Sequence, residues 1–473
     1  MLLENENNKV LKAILVGISL PGTSDIENKE SLKELERLVQ TLGFQVVGST
    51  QQRRPNLSGA VPLGEGKLKE IAKITGGTGI VKSAVPVKKN KAKLKAEAEQ
   101  ESAEDEIESA PAEAFPENKD EENEEQDEIL EKAEAVVFDC ELTPSQITHL
   151  QSAFGVEVLD RTGVIVEIFS RHAKTREARL QVEIAKLKYL SPRIREAGQS
   201  ERQGSGAGAR GSGETDVEID KRRIRDRIAE LRREIAAIQK EQGNRRARRS
   251  EQPCVALVGY TNAGKSSLMR KLTGSEVLVA DKLFATLDTT VRTLYPETQP
   301  RILISDTVGF IKKLPHDLVA SFRSTLDEAM NASLLLFVVD SSDISWKSQL
   351  EVTQTVLKEI GVTDETPARL ILNKIDKLSK EEIQQLKSDY PDALLISTKN
   401  EKDIEFMHHF IRDFFEKDML EVDLFVPYNV QGVIGEIRSL FRVLLEKYEN
   451  EGISYKIRGK KETIEKLKKL HNL

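Results

Sequence analysis

The chain has 473 residues, too many for one ordinary domain, and 32% of them are charged. No apolar run approaches the ~20 residues that a membrane span needs. The longest, Leu334 to Val339, suits a buried strand, and the N-terminus lacks the basic start and apolar core of a signal peptide. The net charge of −7 conceals a split, because residues 97–134 hold 18 acidic side chains against Lys119 and Lys132, leaving 69 basic and 60 acidic residues elsewhere. A basic body with one acidic stretch admits a polyanionic partner that the net charge alone would exclude. Cys140 and Cys254 lie in apolar strand-like runs and read as buried, reduced thiols of a cytoplasmic protein. No Cys/His spacing for zinc occurs.

In chain order, residues 1–170 read as an α/β domain. Leu11–Ser19 predicts a strand, Ser31–Leu42 a helix with apolar residues at helical spacing, and Phe44–Gly48 a second strand. Lysines cluster from Lys88 to Lys95, and the acidic run with Pro111 and Pro116 follows. So polar a stretch cannot bury enough apolar surface to order itself, so 82–134 is expected to be a disordered insert. The pattern resumes with a strand at Ala135–Phe138, a helix at Pro144–Phe154 and a strand at Val156–Asp160. Residues 171–250 predict a helical hairpin: Leu180, Ile184 and Leu187, then Ile224, Ile228, Leu231, Ile235 and Ile238, draw two narrow apolar seams. The glycine-rich segment 198–213 between them would form its tip. Arginines crowd the second helix and the linker after it, so the hairpin is read as facing a polyanion. Residues 251–418 alternate strand, loop and helix as in a doubly wound sheet. Residues 419–473 read as a small α/β domain: strand Leu424–Pro427, helix Gly432–Tyr448, strand Ile453–Ile457 and helix Thr463–Leu470.

Four loops carry the chemistry. After the strand Cys254–Val258 come Gly259, Tyr260, Thr261, Asn262, Ala263, Gly264, Lys265 and Ser266, with Ser267 opening the next helix. This is the phosphate-loop spacing: glycines let successive N–H groups face phosphate oxygens, Lys265 reaches the β- and γ-phosphates, and Ser266 offers a hydroxyl to Mg²⁺. The strand Ile302–Ser305 ends in Asp306, Thr307, Val308 and Gly309. Asp306 can hold Mg²⁺ through water, and the Gly309 amide can face the γ-phosphate. After the strand Leu370–Leu372 stand Asn373, Lys374, Ile375 and Asp376. A carboxylate there accepts both N1–H and the 2-amino group of guanine, a donor pair that adenine lacks. Ser397, Thr398 and Lys399 fit the loop that meets guanine O6. Together they predict a site for GTP and GDP. Thr286 is the candidate switch hydroxyl for Mg²⁺, with Thr289 and Thr290 as rivals nearby. Phe310 stands where many GTPases place a water-orienting glutamine, so either intrinsic hydrolysis is slow or another group assists. Asn262 reads equally as a turn-former or as a ligand for K⁺ beside the phosphates. Gly64, Gly66 and Lys67 read as a turn before a helix rather than a second nucleotide site. Arg292 and Arg323 are read as salt-bridge residues, and His316 as a surface histidine.

Beyond these motifs the sequence resembles the HflX family of GTPases over nearly its whole length outside the insert. Ser49–Arg54 with Gly64–Lys67, Leu159–Phe169, Thr175–Leu180, Gly204–Arg227, Phe284–Asp288 and Asp306–Leu318 carry the resemblance. The runs LDRTGVIVEIF and GETDVEIDKRRIRDRI are more specific than any GTPase motif. The resemblance implies an N-terminal α/β domain and a helical hairpin before a P-loop GTPase domain. It also implies slow GTP hydrolysis stimulated by the ribosome, and binding to the large ribosomal subunit and its RNA. Dissociation of stalled ribosomes under stress, with 198–213 as the tip aimed at the peptidyl-transferase centre, follows from the same likeness. A monomer is expected. The alternative is a large-subunit assembly or RNA-binding factor with nucleotide as a structural ligand. The sequence departs from the family pattern in the insert, at Thr289 where the family often has proline, and at Ala207, Ala209 and Ser212 in the tip.

Overall fold

The computed structural model describes residues 10–81, 132–194, 216–249, 252–274, 283–284, 290–313, 328–363, 365–417, 419–430 and 432–471. Most of the insert and the whole 198–213 tip lie outside them. Three sheets organise the described chain.

The first sheet has strand order β2-β1-β3-β4, all parallel: β1 (Lys12–Ser19), β2 (Gln45–Arg53), β3 (Ala135–Phe138) and β4 (Glu157–Asp160). Helix α1 (Asp25–Thr41) starts at a capping box, in which Ser24 and Glu27 satisfy each other's free amides. Helix α2 (Glu65–Thr75) has Gly64 at its N-cap, and Lys67 pairs with Glu70 at 2.7 Å, so the glycine–lysine run is the start of a helix. Helix α3 (Pro144–Phe154) has Thr143 and Gln146 as its capping box, with Pro144 at a position that needs no amide donor. Ala133 is already buried and the Glu134 amide bonds Lys12 O at 2.8 Å, so the chain has joined the sheet before residue 135. Helices α4 (Arg161–His172) and α5 (Arg176–Leu190) follow β4.

Helix α6 (Asp216–Arg249) returns along α5. The predicted seams meet: Leu180, Ile184 and Leu187 pack against Ile228, Leu231, Ile235 and Ile238. Leu231 is fully buried there, which contributes about 2 kcal/mol.

The second sheet has six strands in the order β10-β9-β8-β5-β7-β6: β5 (Cys254–Val258), β6 (Thr290–Thr293), β7 (Leu303–Asp306), β8 (Leu334–Asp340), β9 (Ala368–Asn373) and β10 (Leu394–Leu395). All pair in parallel except β6, which runs antiparallel to β7. Helices α7 (Lys265–Thr273), α8 (Trp346–Ile360), α9 (Lys380–Asp389) and α10 (Glu401–Glu416) alternate with the strands, as a doubly wound sheet requires.

In the third sheet β11 (Leu420–Pro427), β13 (Gly452–Gly459) and β12 (Arg442–Tyr448) lie in the order β11-β13-β12, all antiparallel. The expected helix Gly432–Tyr448 divides here. Helix α11 (Val433–Leu440) ends, Phe441 turns to extended backbone, and the rest becomes β12. Helix α12 (Lys461–His471) closes this small core. No described helix is long and apolar enough to cross a membrane.

One hydrophobic cluster joins the first two sheets. It runs from Leu15, Leu35 and Val166 to Tyr260, Phe284 and Phe310, and the Phe169 and Phe284 rings meet edge to face at 4.6 Å. Cys140 packs against the other core of the first sheet, where burial and then the Asp139 charge push its thiol up to about 12, so it stays protonated.

Candidate functional site

The four loops emerge at the carboxyl edge of the second sheet, where a doubly wound fold places ligands. The phosphate loop wraps around Lys265, whose Nζ donates to Gly259 O at 3.0 Å and Tyr260 O at 2.8 Å. Asn262 (φ 60°) and Gly264 (φ 96°) turn the backbone through the left-handed region. Glycine is required at 264 for space as well, because a Cβ there would stand 2.2 Å from Asn373 Nδ2. Burial lowers the pKa of Lys265 to about 8.

Ser266 Oγ donates to Asp306 Oδ2 at 2.6 Å, and Asp306 is fully buried. A hydroxyl and a carboxylate, both hard oxygens, stand together where a divalent cation would need them. Among the described residues no three His, Cys, Asp or Glu side chains gather as a ready metal cage. Thr307 turns inward, its hydroxyl donating to Leu257 O at 2.8 Å, so it braces β5 and offers the site only backbone. Gly309 lies hard against the phosphate loop: a Cβ there would stand 2.9 Å from Thr261 Cα and 3.1 Å from Lys265 Nζ. Phe310 is buried in the cluster between the sheets, its N–H donating to Gly259 O at 3.2 Å and its carbonyl accepting from Thr261 N at 2.9 Å. Thr286 and Thr289 lie outside the described residues, as do Arg323 and His316. Thr290 opens β6 opposite Asp306, and Arg292 is exposed on the same strand.

At the other end of the cleft Asn373 staples two loops. Its Nδ2 donates to Ala263 O at 2.9 Å, and its Oδ1 accepts from Thr398 N at 3.3 Å. Lys374 (φ 63°) donates to Asn262 O and Asp340 Oδ2, both at 2.7 Å. Asp376 accepts from Ser397 Oγ at 2.7 Å and Lys399 Nζ at 2.8 Å. Those two bonds, Lys399 first, hold its carboxyl below the usual range and keep it a carboxylate. Asp403 fixes the last loop by accepting from Ser397 N at 2.7 Å.

The structure thus gathers Lys265, Ser266, Asp306 and Gly309 at one end, with Asn373, Lys374, Asp376, Ser397, Thr398 and Lys399 at the other. Sequence reasoning missed Asp340 and Asp403. Asp340 carried one signal, as the acid that ends the most apolar strand at the same sheet edge as the motif loops.

A six-stranded doubly wound sheet with these loops in this order defines a P-loop GTPase domain. Family profiles agree along the chain: residues 29–85 and 97–170 match "GTP-binding GTPase N-terminal", 172–249 match "GTP-binding GTPase Middle Region", and 254–374 match "50S ribosome-binding GTPase". Only 86–96, the lysine-rich part of the expected insert, falls between the two N-terminal matches, so the acidic run 97–134 lies within the family match. The GTPase HflX of Gluconacetobacter diazotrophicus is 53% identical over 459 residues, 97% of each chain. The GTPase HflX of Caldanaerobacter subterraneus is 35% identical over 448 residues, covering 94% of this chain and 90% of that one. A GTP-binding protein from Sulfolobus solfataricus, solved with GDP, overlaps 85% of this chain and 98% of its own at 22% identity and a TM-score of 0.40. The chain belongs to the HflX family of GTPases, and it is a GTP-binding GTP hydrolase.

Proposed function

We propose that this GTPase is a nucleotide-dependent switch that acts on the large ribosomal subunit in the cytoplasm and dissociates or rescues stalled ribosomes. One observation carries the reading: a long basic helix stands directly before the GTPase domain. Arg223, Arg225, Arg227, Arg232 and Arg233 are exposed on α6, while its apolar seam is spent on α5. A helix packed on one side and cationic on the other suits a phosphate backbone. The match of 254–374 to a 50S ribosome-binding GTPase supports the same partner. Sedimentation of the purified protein with ribosomes and with separated subunits, in GTP, a non-hydrolysable analogue or GDP, tests it. Binding that tightens with the GTP state is expected, and binding indifferent to nucleotide overturns the switch.

In this reading residues 259–267 cradle the phosphates, with Lys265 on the β- and γ-phosphates. Ser266, Thr286 and, through water, Asp306 hold Mg²⁺, which supplies charge neutralisation between the phosphates. Thr307, Val308 and Gly309 bring backbone to the γ-phosphate. Asn373, Lys374, Asp376 and Ser397–Lys399 enclose the guanine. The Asn262 carbonyl is committed to Lys374, which leaves its side chain for a K⁺ ion beside the phosphates. Hydrolysis is then expected to run at least several-fold faster in KCl than in NaCl; equal rates would remove the potassium site.

A further inference from the structure

The junction between the first two sheets contains charge that an apolar interface has no use for. Arg161, the first residue of α4, is 2% exposed and is surrounded by Glu34 of α1 and Asp139 at the end of β3. Its Nη1 donates to Asp139 Oδ1 at 2.6 Å; its Nη2 donates to the Glu34 carboxylate and to Lys312 O at 3.2 Å. Tyr260, the second residue of the phosphate loop, donates its hydroxyl to the other Glu34 oxygen and accepts the Lys312 N–H at 2.5 Å. Lys313, held at φ 56°, sends its Nζ to Asp139 Oδ2 at 3.0 Å and Ser31 Oγ at 2.9 Å.

Burying such a network is costly, and apolar side chains of the same volume would hold two domains together at least as well. What charged groups add is direction, and all of these bonds converge on one short stretch. Lys312 and Lys313 come three and four residues after Gly309, and Phe310, directly after Gly309, is bonded by backbone to Gly259 and Thr261. The phosphate loop, the Gly309 segment and helix α1 of the N-terminal domain therefore meet at the Tyr260 phenol, with Arg161 and Lys313 adding ties beside it. Phe310 offers no side-chain group to an attacking water, so the placement of this backbone is what the site has to work with.

We propose that Glu34 and Arg161, which lie outside the GTPase fold, are positioning residues for GTP hydrolysis, acting on the backbone at Lys312, Glu34 through the Tyr260 hydroxyl and Arg161 by its own bond to Lys312 O, and so on Gly309. This rests on the assignment of Gly309 to the γ-phosphate made above. The N-terminal domain is then a working part of the switch rather than a passenger, and a GTPase domain whose N-terminal domain has swung away has lost the brace on its Gly309 segment.

The test uses the full chain with Glu34→Gln, Tyr260→Phe and the double variant. Tyr260→Phe keeps the ring packing and removes only the O–H, whereas Glu34→Gln keeps the volume, removes the charge and turns one of the two acceptors into a donor. Single-turnover hydrolysis with protein in excess of labelled GTP reads even a slow rate, while GDP affinity and thermal melting are followed in parallel. Misplaced backbone at a reacting centre costs roughly tenfold to a hundredfold. Each single variant is therefore expected to fall at least tenfold in rate with GDP affinity within about threefold of the parent. The double variant is expected to be no slower than the slower single one, because both break the same bridge. Lowered melting temperatures with an unchanged rate would reduce the network to a docking contact and overturn the proposal, as would effects that multiply independently. If the parent itself fails to bind or hydrolyse GTP, the Gly309 assignment fails first, which is a distinct result.

Discussion

Lys265→Ala is expected to weaken GTP and GDP binding by roughly three orders of magnitude while leaving the fold intact. Hydrogen bonds to charged groups contribute about 1.5–3 kcal/mol each, and a buried ammonium between two phosphates makes more than one. At about 1.4 kcal/mol per tenfold the loss reaches about 10³. Stability should not fall in proportion, because the ammonium is fully enclosed and its pKa is lowered to about 8, which marks a charge held at some cost before the phosphates arrive. The same shift gives the parent a pH signature. Phosphate raises the Lys265 pKa, so binding takes up a proton wherever the free protein has lost it. Affinity is therefore level below about pH 8 and falls above it, approaching tenfold per unit. Titration of a fluorescent GDP analogue between pH 7 and 9.5 reads this directly. Lys265→Ala is the control, since guanine's own ionisation affects both proteins alike. A parent profile parallel to that of the variant would show that Lys265 does not meet the phosphates.

The parts of this site legible in the sequence were those written in a few consecutive residues. The phosphate loop, the Asp306–Gly309 turn and the Asn373–Asp376 turn each follow an apolar strand, and short-range spacing is enough to place them. The hairpin seam was legible for a related reason, because a 3.5-residue repeat says which faces meet. What escaped was every partner supplied from far along the chain. Glu34 lies 226 residues from Tyr260, and no local pattern distinguishes it from the other acids of α1. Asp403 is one acid in the first turn of a helix, where acids are common in any case.

The error in the tail has a similar origin. Ile434, Ile437, Phe441, Leu444 and Leu445 are spaced as a helix would space them, and single-sequence periodicity has no means of refusing the pattern. The structure ends the helix at Leu440 because Arg442–Tyr448 gains a ladder with Gly452–Gly459, and cross-strand pairing overrides local preference. Gly459 allows it: a Cβ there would stand 2.3 Å from the Phe441 ring, so the aromatic at the helix end packs straight onto the neighbouring strand.

The guanine end of the cleft yields the other large effect. Both oxygens of Asp376 are already oriented, one by Ser397 and one by Lys399, so the carboxylate stands ionised and ready before the base enters. Asp376→Asn removes the charge and turns one acceptor into a donor, which then faces a guanine N–H on one side and the Lys399 ammonium on the other. Losing two charge-assisted bonds and leaving a donor opposed beneath the bound base costs about 3–4 kcal/mol, so GTP affinity is expected to drop by roughly 10²–10³. The base at stake can be identified in the same experiment. Xanthine keeps N1–H but carries an oxygen at position 2, so the amide of the variant can accept the first and donate to the second. Asp376→Asn is accordingly expected to prefer xanthosine over guanosine nucleotides, reversing the order of the parent. Competition of GDP, ADP and xanthosine diphosphate for a bound fluorescent nucleotide decides it. Undiminished GDP binding by the variant would place the base elsewhere than at Asp376, and a parent that binds ADP as well as GDP would remove the guanine assignment itself.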